Sequence, residues 1–581
     1  MRHRTSPRRH GALPFVAAAA VVALTAAGAS AAPSSASSSG PSGVPAAASA
    51  HDADGVNGFT TLGYFPAWAT ETHGYEVADL AHTGAAADLT HLTYAFGNVT
   101  SDLVCDITDA EGPEGPEGDP QNDYLRLFGA AASVDGVADS PDQALAGNFN
   151  QLRKLKEAYP GLKVMISLGG WTWSDNFAEA TLTPESRQRL VDSCIDTYLD
   201  GNLPVVGAQG GAGAAAGIFD GFDVDWEWPA ADGEHPAPHP DVEKENFLAL
   251  MELFRAELDE RTAATGDDYL LTGFAPAGWA PRTQGGWDDP RLAAVVDFLN
   301  VQGYDYTGPW AATQTGHQGN LHPYTNPDGS SANWGLAADG LLGAYRAAGY
   351  DGDQLVLGMA AYGYGWEGVD DPTPGAAAAG SLGQKLYSQL RTVGTEHYDE
   401  TAMAGYRYDG DQWWSLDTPR SVTAKAEWVA ENGYGGAYFW DIAGDHDNEL
   451  GSALAGTLRA ATPGPRITGE GADPWYATGV YTKGDVVAHD GVEYRAAWWT
   501  RDDQPGSGAV KKNPWQKIGP RGTAPAPAAA ECAPAWDADA VYRKGDVVSR
   551  AGVNHTALWY AKGDRPGTDV TGPWDAGAPC A

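Results

Sequence analysis

The stretch Asp220-Gly-Phe-Asp-Val-Asp-Trp-Glu-Trp-Pro229 decides the reading of this chain. Asp223, Asp225 and Glu227 alternate with Phe222, Val224 and Trp226. On a β-strand, residues two apart share a face, so the three carboxyls point one way and the bulky groups the other. A buried row of acids about 6–7 Å apart is costly unless protons are shared and the site does chemistry. A chain with 76 acids in 581 residues meets this spacing about once by chance. A solvated edge or a metal site would also use it. What favours proton handling is the setting: Ile218-Phe219 leads in, large apolar groups interleave, and Trp228-Pro229 closes the run.

Working outward, short apolar runs suited to strands fall at residues 61–65, 89–96, 162–168, 218–226, 269–275, 298–304, 355–361 and 434–440. Helical patterns at 150–158, 184–199, 243–261 and 423–431 separate several of them. The pattern is α/β, and by itself fits either a closed barrel or an open doubly wound sheet. The Gly/Ala run 207–217 reads as a flexible loop.

The acid run resembles the Asp-x-x-Asp-x-Asp-x-Glu signature of the family 18 glycoside hydrolases, the chitinases, with Asp220, Asp223, Asp225 and Glu227 at its four positions. Three further family elements follow the expected order: Ser167-Leu-Gly-Gly170, Gln302-Gly-Tyr304-Asp305 and Gly435-Gly-Ala-Tyr-Phe-Trp440-Asp441. The resemblance covers about residues 58–460 and implies a (β/α)8 TIM barrel. The long interval between the seventh and eighth strand runs, about 363–425, resembles the α+β insertion of deep-cleft chitinases.

Members of that family are substrate-assisted exceptions among retaining glycosidases. The resemblance implies that Glu227 is the acid/base. Asp225 would orient the sugar's acetamido N–H, Asp223 would share a proton with Asp225, and Tyr304 would donate to the acetamido group. Tyr64, Trp68, Trp171, Gln302, Asp305, Trp310 and Trp440 are candidate substrate contacts, with Trp440 as the floor beneath the reacting sugar. Trp279 is a further aromatic near a strand end. Gln302 stands where many deep-cleft members carry Met, which alters the subsite without altering the reaction class. Asp220, of the wrong parity for the acid face, reads as a hydrogen bonder at the strand start, and Ser167 as a support for the inner acids. The presence of Glu227 argues against a lectin on an inactive barrel; an endo-β-N-acetylglucosaminidase acting on glycoproteins is the nearer alternative.

Beyond residue 461 an internal repeat appears. Trp475, Tyr481, Asp485, Tyr494, Trp498, Trp499, Pro505 and Trp515 recur as Trp536, Tyr542, Asp546, His555, Trp559, Tyr560, Pro566 and Trp574. Both copies, 473–519 and 532–581, resemble chitin-binding modules of carbohydrate-binding families 5 and 12, with linkers at 461–472 and 520–531. Adjacent residues on a strand cannot both face inward, so the pairs Trp498/Trp499 and Trp559/Tyr560 are candidates for stacking on sugar. Trp475, Trp515, Trp536 and Trp574 are assigned mainly to the small cores.

Net charge is −40, which disfavours nucleic acid and anionic membrane as partners and leaves a neutral glycan open. Residues 1–31 fit a secretory signal: Arg2, Arg4, Arg8 and Arg9, an apolar core at 15–27, then Ala29-Ser-Ala31. Residues 32–57 read as a disordered lead-in, and an extracellular monomer is expected. Of four cysteines, Cys532 and Cys580 flank the last module, where a bridge between them would staple its ends, and Cys105 and Cys194 fall in the large domain, as a bridge or as buried thiols. No Cys/His cluster has zinc-ligand spacing, and neither metal nor cofactor is expected.

Overall fold

The computed structural model describes residues 56–464 except 113 and 114, and separate segments between 473 and 579. The chain divides into two compact units, Met1–Gly469 with Asp473–Val480, and Glu470–Ala472 with Tyr481–Ala581.

Seven parallel strands open the first unit: β1 Thr60–Pro66, β2 His91–Gly97, β3 Lys163–Gly169, β4 Gly221–Asp225, β5 Leu270–Ala275, β6 Phe298–Val301 and β7 Leu355–Ala360. A separate antiparallel sheet follows, made of β8 Tyr362–Glu367, β9 Gly380–Leu386, β10 Thr395–Asp399, β11 Ala404–Tyr408 and β12 Trp413–Leu416, in spatial order β9-β8-β12-β11-β10. The last barrel strand, β13 Gly436–Trp440, pairs in parallel with both β1 and β7 and closes the ring. Neighbours around the barrel run β1-β13-β7-β6-β5-β4-β3-β2. Closure removes both sheet edges, which is why strands such as Leu355–Ala360 are buried along their whole length and read as unbroken apolar runs.

Helices are set by local signals. Thr183 caps Pro184–Cys194, its hydroxyl accepting from the Ser186 N–H at 3.1 Å, with Pro at the first helical position. Glu243–Thr265 stops at Gly266, whose φ of 83° is left-handed and whose N–H bonds the Thr262 carbonyl.

The run 207–217 differs from expectation. Leu203–Val206 and Gln209–Gly211 form a short antiparallel hairpin, fixed by Gly210 N–H to the Ala144 carbonyl at 2.8 Å and by the Tyr124 hydroxyl to the Pro204 carbonyl at 2.9 Å. One of its glycines serves close approach: a Cβ on Gly210 would lie 2.0 Å from the Pro204 carbonyl oxygen.

Cys105 and Cys194 form a disulfide with Cα atoms 4.8 Å apart, joining the segment after β2 to the helix Pro184–Cys194. Cys532 and Cys580 lie outside the described residues, as do the signal segment and the lead-in to residue 55.

In the second unit, Val486–His489, Val492–Ala496 and Trp515–Pro520 pair antiparallel, and Val547–Arg550, Val553–Thr556 and Ala578–Pro579 form a second small sheet. Trp515 is buried, and Trp536 packs on Val548, Ala557 and Ala561. Trp475, Trp498, Trp499, Trp559, Tyr560 and Trp574 lie outside the described residues.

Candidate active site

Strand β4 carries the acids to the C-terminal mouth of the barrel, where loops can surround a ligand. Phe222, Val224 and Trp226 face the helical shell: Phe222 lies 5.1 Å from Phe254, and Trp226 stacks on Phe177 at 5.4 Å. Asp223 and Asp225 point the other way and are buried. The strand ends at Asp225, so Glu227 continues the row from the loop beyond it and is half-buried.

Asp223 is held by four donors. Its Oδ2 accepts from the Tyr64 and Ser167 hydroxyls, both at 2.8 Å. Its Oδ1 accepts from the Thr272 hydroxyl at 2.6 Å and the Asn300 amide at 3.2 Å. Register explains the set, since Ser167 and Thr272 are the β3 and β5 partners of Asp223. Burial raises the carboxyl's pKa, and the four donors oppose that rise.

Asp225 has the opposite environment. Its Oδ1 is buried and has no hydrogen-bond partner. Burial raises its pKa well above the usual carboxylate range, with Glu227 and Asp223 adding to the effect. Asp223, by contrast, has both carboxyl oxygens engaged by donors from four other residues.

Glu227 is pushed up to about 8, first by burial and then by the Asp305 and Glu234 carboxylates. Its backbone N–H donates to the Ser174 hydroxyl at 2.8 Å, and Ser174 in turn donates to the Gly170 carbonyl at 2.8 Å. That ties the acid's loop to the Ser-x-Gly-Gly segment. Both glycines are forced: a Cβ on Gly169 would lie 2.4 Å from the Asp225 carbonyl oxygen, and one on Gly170 would lie 2.5 Å from the Phe96 ring.

Tyr304 is buried past the end of β6, its hydroxyl 3.4 Å from that of Tyr438. The next residue, Asp305, has a left-handed φ of 62° and accepts from the Tyr362 hydroxyl at 2.6 Å. Burial lifts its carboxyl to about 6, against the pull of Tyr362 and Tyr364. Both tyrosines lie on β8, so the insertion reaches the acid cluster through Asp305.

Aromatic groups gather around this centre. Trp440 is half-buried, stacks on Phe96 at 5.5 Å and meets the Tyr64 ring edge-on at 5.5 Å. Trp68 lies 6.1 Å from Phe96, and Trp310 meets Tyr364 edge-on at 5.6 Å. The indole N–H groups of Trp171 and Trp310 are buried without a hydrogen-bond partner. Gln302 is half-buried, its Oε1 accepting from the Ala277 N–H at 3.2 Å. Trp279 opens a helix at Trp279–Gly285 and is 42% exposed.

Asp220 sits at the other end of the strand. It accepts from Lys156 at 2.7 Å and from the Val164 N–H at 2.8 Å. Sequence reasoning did not single out Thr272, Asn300, Ser174, Tyr438, Tyr362 or Tyr364. Parity would have found Asn300, two before Gln302 on the strand that leads to Tyr304. Among the described residues, no group of three or more His, Cys, Asp and Glu side chains is arranged to hold a metal ion.

Comparison with known proteins fits this geometry. Residues 60–445 match the model of "Glycosyl hydrolases family 18", and residues 474–516 match "Carbohydrate-binding module family 5/12". "Chitinase C" of Streptomyces lividans is 35% identical over 412 residues, covering 68% of this chain and 58% of that protein. "Chitinase A1" of Niallia circulans is 30% identical, covering 71% and 60%. The chain thus spans about three-fifths of the length of these curated relatives. The catalytic domain of psychrophilic chitinase B from Arthrobacter TAD20 superposes with a TM-score of 0.67 at 42% identity, covering 71% of this chain and 97% of that domain. The barrel, its acid row and these matches together place the chain in glycosyl hydrolase family 18.

Proposed function

We propose that this protein is a secreted chitinase that cleaves β-1,4 bonds between N-acetylglucosamine units with retention at the anomeric carbon. The observation that carries the reading is the graded acid row: Asp223 saturated with donors, Asp225 with a bare buried oxygen, and Glu227 pushed up to about 8.

An acid titrating near 8 is protonated at neutral pH and can act as a general acid. Glu227 gives its proton to the glycosidic oxygen as the bond from that oxygen to C1 breaks. The carbonyl oxygen of the sugar's own 2-acetamido group attacks C1, giving an oxazolinium ion, and the leaving chain departs. Asp225 Oδ1 accepts the acetamido N–H, which orients the attack and balances the positive charge. Tyr304 donates to the acetamido oxygen. Glu227, now ionised, takes a proton from water, whose oxygen attacks C1 and opens the ring with net retention.

Asp223, fixed by Tyr64 and Asn300, supports Asp225 from deeper in the barrel and shares a proton with it. Trp440 lies beneath the reacting sugar, while Trp68, Trp171 and Trp310 cover neighbouring rings. The unpartnered indole N–H groups of Trp171 and Trp310 suit sugar oxygens. Gln302 and Asp305 contact substrate at the edge of this subsite. Two C-terminal modules, using Trp498/Trp499 and Trp559/Tyr560, hold the enzyme at insoluble chitin and raise its local concentration. Secretion follows from the pattern of residues 1–31, and the enzyme acts as a monomer.

Glu227→Gln is expected to lower turnover of soluble chitin oligomers by about 10³-fold or more while retention on solid chitin persists. Hydrolysis comparable to the unmodified enzyme would contradict the assignment. Because Glu227 must start protonated, the unmodified rate should fall as pH rises through about 8. A parallel assay on a high-mannose glycopeptide separates chitin cleavage from endo-β-N-acetylglucosaminidase action.

A further inference from the structure

The loops that follow β1 and β13 are joined by an ion pair that the acid row does not use. His73 Nε2 lies 3.4 Å from Asp441 Oδ2, and the two side chains are only 11% and 9% exposed. Asp441 directly follows Trp440, the floor of the proposed subsite. Its other oxygen, Oδ1, is buried without a hydrogen-bond partner. Among the described residues, His73 is the only basic side chain within ion-pair range of this carboxylate. A carboxylate held so far from water is costly unless a neighbour compensates it. Such a pair adds little net stability over apolar side chains of the same volume, and its best-attested use is to fix a register.

The register here runs between two tryptophans. The Thr72 hydroxyl donates to the Trp68 carbonyl at 3.0 Å, and Thr72 Oγ1 lies 2.6 Å from His73 Nδ1. A polar path therefore leads from Trp68 through Thr72, His73 and Asp441 to Trp440. An aromatic path closes the circuit, since the Phe96 ring lies 6.1 Å from Trp68 and 5.5 Å from Trp440. Two residues beyond His73, Tyr75 stacks on His446 at 5.6 Å, a second contact between the same two loops.

We propose that His73 is a positioning residue: through Asp441 it holds Trp440 in register with Trp68, so that the two rings form one rigid sugar-binding surface. The inference rests on the chitinase reading above, with Trp440 as the floor beneath the reacting sugar.

A double-substitution cycle in the full chain tests this on a soluble chitin hexamer. His73→Ala should lower kcat/KM about five- to twentyfold, and Asp441→Ala by a similar factor. Once Trp440→Ala has removed the floor, adding His73→Ala should change kcat/KM by less than about twofold, because nothing remains to be held. His73→Gln, whose amide can still donate to Asp441, should keep at least about half the activity. His73→Leu, of like volume but without a donor, should lose as much as His73→Ala. The Gln and Leu variants carry the same test if the Ala variant does not fold. Losses that multiply in the double variant would overturn the proposal. So would an unchanged kcat/KM for His73→Ala, or equal activity of the Gln and Leu variants. An unmodified chain that leaves the hexamer uncut defeats the chitinase reading itself, whereas cleavage by that chain with multiplying losses defeats this inference alone.

Discussion

The two ends of one short segment place aspartates in opposite surroundings. Asp220, before β4, is paired with Lys156 at 2.7 Å, has Lys163 at 3.8 Å, and accepts a backbone N–H of β3. Asp223, Asp225 and Glu227, at the other end, take part in no ion pair with Lys or Arg among the described residues. Paired with Lys156, Asp220 serves as a structural tie between neighbouring strands. Acids left without cations in a buried row have their pKa values raised by burial, and Glu227 is pushed up to about 8. Along this one segment, lysines pair with the acid at the base and not with the acids at the mouth, in keeping with the division between stability and catalysis at a barrel's two faces.

Substitutions along the segment test that division. Removing the bare carboxylate with Asp225→Ala should lower kcat on chitin oligomers by about 10²–10³-fold with little change in melting temperature. A change mainly in KM would mean that Asp225 only binds. Asp223→Ala should be the most damaging to the fold, since it strands the Tyr64, Ser167, Thr272 and Asn300 donors. Denaturant titration should show a loss of about 2–4 kcal/mol. At the base, Asp220→Ala should cost about 1 kcal/mol while kcat and its pH profile remain unchanged. A shifted profile in that variant would show that the two ends are coupled.

Much of this was legible beforehand, for particular reasons. Strand parity aligns Asp223, Asp225 and Glu227 on one face, while their roles, and Tyr304 itself, were legible only through the family resemblance of the motifs. The partners of Asp223 were not legible. Thr272 and Asn300 are ordinary polar residues in apolar strands, and only the register of a closed barrel brings them to one carboxylate. Asp305's link to Tyr362 and Tyr364 depends on where the insertion sheet folds back, which no local pattern encodes. The Gly/Ala run differed for the opposite reason: composition suggested a loop throughout, whereas Gln209–Gly211 pairs in a hairpin in which Gly210 lies against backbone.

The central claim is that a sugar's own amide is the nucleophile and Glu227 the proton donor and acceptor. Proton NMR of soluble chitin oligomers in the first minutes of hydrolysis, before mutarotation, reads the anomer formed. The account predicts the β-anomer as first product; an α-anomer would mean direct attack by water and contradict it.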